Sequence, residues 1–173
     1  GVAGTEPMPE GGVLDRLQPL VETSLVILDQ SDEAARYSVL GTIRDYAHEK
    51  LEQGSELAQT AALHCRHYFG MTKAASKGLR SAEQADWVWR VEIELDNVRA
   101  AMTLALSGGV DPVIAVKIAV AMQGFWILRG YSTDGRKLVA ASLAIPAVRE
   151  SDLAQGPAIY VGAALAVCPR DHD

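Results

Sequence analysis

The sequence is poor in groups that could carry out a reaction. It contains no GxxxxGK(S/T) phosphate loop and no GxGxxG turn, so the glycine-rich cradles that hold nucleotide phosphates are missing. It has no GxSxG and no HExxH, which removes common serine-hydrolase and zinc-protease signatures. Cysteine is scarce: Cys65 and Cys168 lie far apart with no CxxC pattern. That usage reads as a reduced intracellular protein rather than a disulfide framework. Basic residues are outnumbered, 16 Lys and Arg against 22 Asp and Glu, for a net charge of −6. This balance argues against a broad nucleic-acid or anionic-membrane surface. The opening GVAGTEPMPEGG has neither a basic segment nor an apolar core, so no secretory signal is expected and a cytoplasmic location is. The absence of an initial Met reads as a fragment or a processed chain.

Apolar residues make up 49% of the sequence, ample for a core. Aromatics are only 6%, yet all three tryptophans fall between Trp87 and Trp126, which places the heavy packing mid-chain. The stretch 81–106, SAEQADWVWRVEIELDNVRAAMTLAL, reads as one long helix. Ser81 and Gln84 are spaced as a capping box, and Gly108 and Gly109 end it. Stepped at about 100° per residue, it carries two apolar stripes. One is Trp87, Val91, Leu95, Val98, Met102 and Ala105; the other is Trp89, Ile93, Ala100 and Leu104. Two stripes imply packing on both sides, as for an inner helix in a stack of helical hairpins. Trp87, Trp89, Leu95, Val98 and Trp126 are the expected structural core.

Residues 1–12 read as a linker. Val13 to Ser24 has helical spacing, with a kink or break expected at Pro19. LVIL at 25–28 and ARYSVL at 35–40 flank a polar loop and predict a β-hairpin. Thr42, with Asp45, is spaced to cap a helix ending at Gly54. Ser55 starts the next helix, to about Lys77. Lys73, Lys77 and Arg80 gather at its end, where cations complement the helix dipole; a phosphate-binding patch is the less ordinary alternative. Asp111-Pro112 opens the apolar helix 113–129, closed by Gly130. It is too short to span a bilayer. A further helix from Ser132 or Thr133 stops at Pro146. IYVGAALAV, 159–167, is the last apolar segment.

Few constellations suggest chemistry. His64, Cys65 and His67 form the one cluster of metal-ligand types, but Cys65 points away from the histidines on a helix and no second ligand pair exists. Glu92, Glu94 and Asp96 sit among their own counter-charges, Arg90 and Arg99, and read as a charged helix face. Asn97 lies between the two stripes and could hydrogen-bond a neighbouring helix end. No catalytic, cofactor-binding or metal residue is expected, and the chain is not expected to be an enzyme.

Five segments carry a family resemblance: LDRLQPLVETSLVIL (14–28), RYSVLGTIRDYAHEKL (36–51), HCRHYF (64–69), DWVWRVEIELDNVRAAMTLAL (86–106) and FWILRGYSTDGRKLVAASL (125–143). In this order they resemble the region C-terminal to the nucleotide-binding core in bacterial STAND-type signal-transduction ATPases, including LuxR-family-like transcriptional regulators. The resemblance implies a mainly α chain: a partial winged helix with a short β-hairpin at 13–53, then a tetratricopeptide-like α-hairpin stack at 55–173. Gly130 and Pro146 match that repeat pattern, while Gly135 and Ser142 stand where alanine is usual. It also implies a regulatory, protein-interacting role, with the parent's own upstream ATPase domain and a protein or small-molecule inducer as partners. No cofactor, nucleic acid or membrane is expected to bind these residues. The alternative is a winged-helix DNA-binding protein with a helical dimerisation domain. The small residues of the last segment, with Ile159, Gly162, Ala163 and Ala166 in view, suggest a self-association surface and a possible homodimer.

Overall fold

A computed structural model describes residues 10–30 and 35–167. The expectations placed on residues 1–9 and on Cys168 to Asp173 lie outside the described residues. The chain forms two compact units, one through Ser55 and one from Glu56.

The first unit runs α1 (Glu10–Glu22), β1 (Val26–Asp29), β2 (Arg36–Val39) and α2 (Gly41–Gln53). The hairpin is antiparallel, with Val26 opposite Val39 and Asp29 opposite Arg36. Val26 is buried, while α2 buries none of its residues. Helix α1 begins at Glu10, within the stretch expected to be linker, and runs through Pro19 without a break. Pro19 removes the N–H that would serve the Asp15 carbonyl. Both residues are exposed, so water can reach that oxygen. The capping box expected at Thr42 does not form: the helix starts one residue earlier and its first position has no side-chain cap. Ser55 likewise makes no cap and sits at φ 58°.

The second unit is a helix stack: α3 (Leu57–Gly78), α4 (Gln84–Ile93), α5 (Leu95–Leu106), α6 (Val113–Arg129), α7 (Ser132–Ala144), the single turn α8 (Pro146–Arg149) and α9 (Asp152–Val167). Contacts arrange these in two rows. Helices α3, α6 and α9 pack successively in one row, while α5 and α7 touch in the other. Each hairpin, α3 with α5 and α6 with α7, joins the rows. Successive hairpins therefore cover one another's apolar faces, the stacking logic of helical repeats.

Helix α6 is central. Ala115, Val116, Ile118, Ala119, Met122, Phe125 and Trp126 are all buried on it, so its sequence is apolar nearly all round. Its ends follow local chemistry. The Asp111 carboxylate accepts the Val113 N–H at 3.0 Å. Gly130 adopts the left-handed conformation at φ 76°, and the Tyr131 N–H returns to the Trp126 carbonyl. Such a φ is cheap only for glycine.

The long helix expected over 81–106 is two helices. The chain breaks at Glu94, which belongs to neither, without a Pro or Gly to mark it. Nor does Ser81 pair with Gln84: the Ser81 hydroxyl donates to the Gly78 carbonyl, and the Gln84 amide donates to the Leu79 carbonyl at 2.7 Å. The first stripe is packed as expected, with Val91, Leu95, Val98, Met102 and Ala105 buried and Trp87 half-buried. The second stripe is packed only in part: Ile93 and Leu104 are half-buried, while Trp89 and Ala100 are exposed. Trp89 is 52% exposed, a correction to its place in the core. Helix α4 meets the stack through its Trp87 and Val91 side and packs on α3 and α5. Trp89 lies roughly 200° round the helix from Trp87, so it faces away.

Two glycines admit the indole rings. A Cβ on Gly78 would lie 2.1 Å from the Trp87 ring, and one on Gly135 would lie 2.6 Å from the Trp126 ring and 2.7 Å from Leu165 Cδ1. Gly135 is thus the seat of the largest buried side chain. By contrast, a Cβ on Gly124 in α6 would meet nothing within 4 Å. Opposite signs follow for the same substitution. Gly135→Ala destabilises by forcing Trp126 or Leu165 aside, about 1–3 kcal/mol as for other overpacked cores. Gly124→Ala stabilises by about 0.5–1 kcal/mol through helix propensity. Trp126→Ala costs about 3–5 kcal/mol. Urea titrations of the three variants measure all of these. A Gly135→Ala midpoint at or above wild type would refute the Trp126 contact.

Candidate interaction surface

Polar side chains tie the helices together where the sequence suggested only a charged face. The Glu94 carboxylate, at the α4–α5 break, accepts the Tyr68 hydroxyl of α3 at 2.9 Å and the Asn97 amide at 2.7 Å. Asn97 therefore holds the break instead of reaching a neighbouring helix end. Glu92 accepts from Arg129 at 2.9 Å and from the Tyr131 hydroxyl at 3.0 Å, linking α4 to the α6–α7 turn. Arg99 of α5 donates to Asp96 and to Asp134 of α7, and lies over the Tyr131 ring. Arg136 donates to the Leu165 carbonyl, tying α7 to α9.

The electrostatics match these pairings. Burial works against the Arg99 charge, but hydrogen bonds to Asp96 and Asp134 outweigh it and hold its pKa above the ordinary value. The hydrogen bond to Glu92 raises Tyr131, with burial adding to it. Of these carboxylates, Glu92, Glu94 and Asp134 are engaged between helices and Asp96 within α5.

The histidine cluster packs around an aromatic ring. The Tyr68 ring packs against both His64 and His67, at 4.7 and 4.9 Å between centroids. The buried Cys65 thiol donates to the Ala101 carbonyl of α5 at 3.2 Å, and burial raises its pKa. Among the described residues no three metal-type side chains gather at one point.

Two clefts flank the C-terminal half of α3. One, of about 460 Å³, is lined by Gly70, Ala74, Gly78, Glu83 and Trp87 together with Lys73 and Lys77. The other, of about 380 Å³, lies where α3, α6 and α9 meet. It is lined by Phe69, Val113, Val120, Leu153 and Pro157 together with Lys73, Lys77 and Lys117. Lys73 and Lys77 line both clefts and so stand between them along α3. The sequence shows Lys73 and Lys77 as helix-end cations. It does not reveal Lys117 beside them, because that neighbourhood depends on α3 packing against α6.

Of the residues expected in the core, Leu95, Val98 and Trp126 are buried, Trp87 is half-buried and Trp89 is exposed. Helix α9 folds back on α6 and α7, burying Ala158, Val161 and Leu165. The small-residue stripe is thereby divided. Gly162 is half-buried near Val139, while Ile159, Ala163 and Ala166 face outward.

Comparison with known proteins adds a relationship. Over 136 residues, 78% of the chain, it is 33% identical to proteins named HTH-type transcriptional regulators from Mycobacterium tuberculosis. A protein of the same description from Mycobacterium bovis matches equally. The matched stretch spans 15% of the length of each of these relatives. No protein-family model matches the chain, and no solved structure gives a significant match. No helix among the described residues is long and apolar enough to cross a membrane.

Burial, and to a lesser degree the neighbouring His67, lowers the His64 pKa below 6.5. The unfolded chain then binds a proton at this site more readily than the folded chain, so stability rises with pH there. The His64 contribution is complete above about 6.5 and declines as pH falls toward the lowered folded value. Chemical denaturation at a series of pH values across this window should give a shallower acid-side decline for His64→Gln than for wild type. Identical slopes would show that His64 carries no such shift.

Proposed function

We propose that this chain is a non-catalytic regulatory and protein-interaction segment of a STAND-type ATPase transcriptional regulator, cytoplasmic and working beside an upstream nucleotide-binding domain. The observation that carries the reading is the 33% identity, over 136 residues, to proteins named as transcriptional regulators, of which the matched stretch forms 15%. In this reading the second unit is the start of a tetratricopeptide-like sensor array. The first unit is a partial winged helix that passes its state to the ATPase by a changed domain contact. The first unit supports this by what it leaves uncovered: Leu14, Ile27, Leu40 and Tyr46 are exposed and α2 has no buried residue. A neighbouring domain would cover such a surface. A homodimer would use the outward part of α9 at Ile159, Ala163 and Ala166.

The names of the relatives also favour a second reading, a winged-helix DNA-binding protein with helical dimerisation. Charge weighs against it. Helix α1 offers Asp15 and Glu22 against Arg16, and α2 mixes Arg44 and Lys50 with Asp45, Glu49 and Glu52. A phosphate backbone needs a basic stripe.

The test uses a full-length regulator carrying this segment. Asp134→Arg, which breaks the α5–α7 bridge at Arg99, is expected to change inducer-dependent ATP turnover and leave operator affinity unchanged. Turnover identical to wild type would defeat the relay reading. The 173-residue chain by itself is expected to give no saturable heat with magnesium ATP and no gel-shift complex at physiological salt. A salt-dependent sub-micromolar DNA complex would promote the second reading.

A further inference from the structure

We infer that the lysine-lined cleft along α3 receives an acidic, amphipathic segment of a partner protein. The inference rests on reading the second unit as an interaction segment and names the chemistry of its partner. Three observations converge on the cleft between α3, α6 and α9. Most of its lining is apolar, and Val120 and Leu153 there are exposed, Leu153 by 85%. The rest of the lining includes Lys73, Lys77 and Lys117 and contains no carboxylate. None of these lysines has an ion pair among the described residues.

In a chain of net charge −6 this is a local reversal of sign. Some basic side chains of the same unit are engaged otherwise: Arg99 and Arg129 pair with carboxylates, and Arg136 is held by Thr133 and Leu165. Three ammonium groups around one apolar cleft repel one another, and carboxylates placed among them relieve that repulsion. An extended segment lying across Lys73 and Lys77 reaches both this cleft and the adjoining one beside Trp87, where Glu83 also lines the wall, so the acidic contacts belong to the cleft between α3, α6 and α9. The aromatic rings favour a protein partner over single-stranded nucleic acid. The Trp87 ring is seated on Gly78 with the Arg90 guanidinium 5.1 Å from it, and the Lys117 ammonium lies 6.0 Å from the Phe69 ring. Bases stack on open ring faces, and these rings are already engaged. An amphipathic helix in a groove places leucines against such a lining and acidic groups toward its lysines.

The probe is a fluorescein-labelled peptide of about 15 residues, long enough for marginal helicity, with leucines at helical spacing and glutamates elsewhere. A second peptide replaces every glutamate by lysine, and unlabelled single-stranded DNA of similar length serves as competitor. Fluorescence anisotropy with the 173-residue chain is expected to show saturable binding of the acidic peptide, about tenfold or more tighter than the basic one. Lys73→Glu combined with Lys117→Glu is expected to weaken it about tenfold, and Val120→Asp to weaken it comparably, while Lys137→Glu on α7 leaves it unchanged. All four side chains are exposed, and circular dichroism melts check that each variant folds. Equal affinity for the two peptides, insensitivity to the Lys73/Lys117 reversal, or displacement of the peptide by DNA at similar concentration would each overturn the inference. Failure here combined with an Asp134→Arg effect on ATP turnover would remove this partner chemistry and leave the relay reading standing. Loss of the turnover effect would remove the relay reading itself.

Discussion

Helix α6 can serve both rows of the stack because one large side chain, Trp126, is seated against a position with no side chain, Gly135. The indole is 2% exposed, and Leu165 of α9 closes the other side of the same glycine. Three helices therefore meet at one point whose geometry tolerates no added carbon. Protein interiors are packed too densely for such a contact to slide, so the angle between α6 and α7 and the seating of α9 are fixed together. Trp87 on Gly78 repeats the device at the α3–α4 junction. Packing sets the helix positions, and the polar struts around Glu92, Glu94 and Arg99 then pin their ends. Exposed ion pairs of this kind contribute little to stability individually. Their role is register: they decide which helix end faces which.

That division of labour explains what could be read from residues in order. Features set by local backbone chemistry were legible: the hairpin around 25–40, the Asp111-Pro112 start of α6, its left-handed Gly130 end, and the stop at Pro146. The buried stripe through Val91, Leu95, Val98 and Met102 was legible too, because helical periodicity reports one packed face well. The second stripe misled. Trp89 and Ala100 repeat at helical spacing but face outward, since apolar spacing says that a face could be buried and not that anything is there to cover it.

The break at Glu94 was invisible because its cause lies in other segments. Tyr68 of α3 supplies one of the hydrogen bonds that hold it, 26 residues away. The expected cap at Thr42 failed for a related reason: capping motifs describe what a helix start can use, and here the backbone began a residue earlier. The cleft shows the same limit. Lys73 and Lys77 were visible as helix-end cations, but Lys117 joins them only after α3 and α6 pack. The reason for a glycine at 135, the ring of Trp126, appears only in three dimensions.

The Trp126–Gly135 contact joins α6, α7 and α9 into one cooperative body. Hydrogen exchange measured residue by residue on the 173-residue chain tests it most directly, because amides in one cooperative unit open together. The α6 amides and those from Ala158 to Leu165 are expected to share the slowest exchange, with similar opening free energies. Fast, independent exchange over 158–165 beside a protected α6 would contradict it.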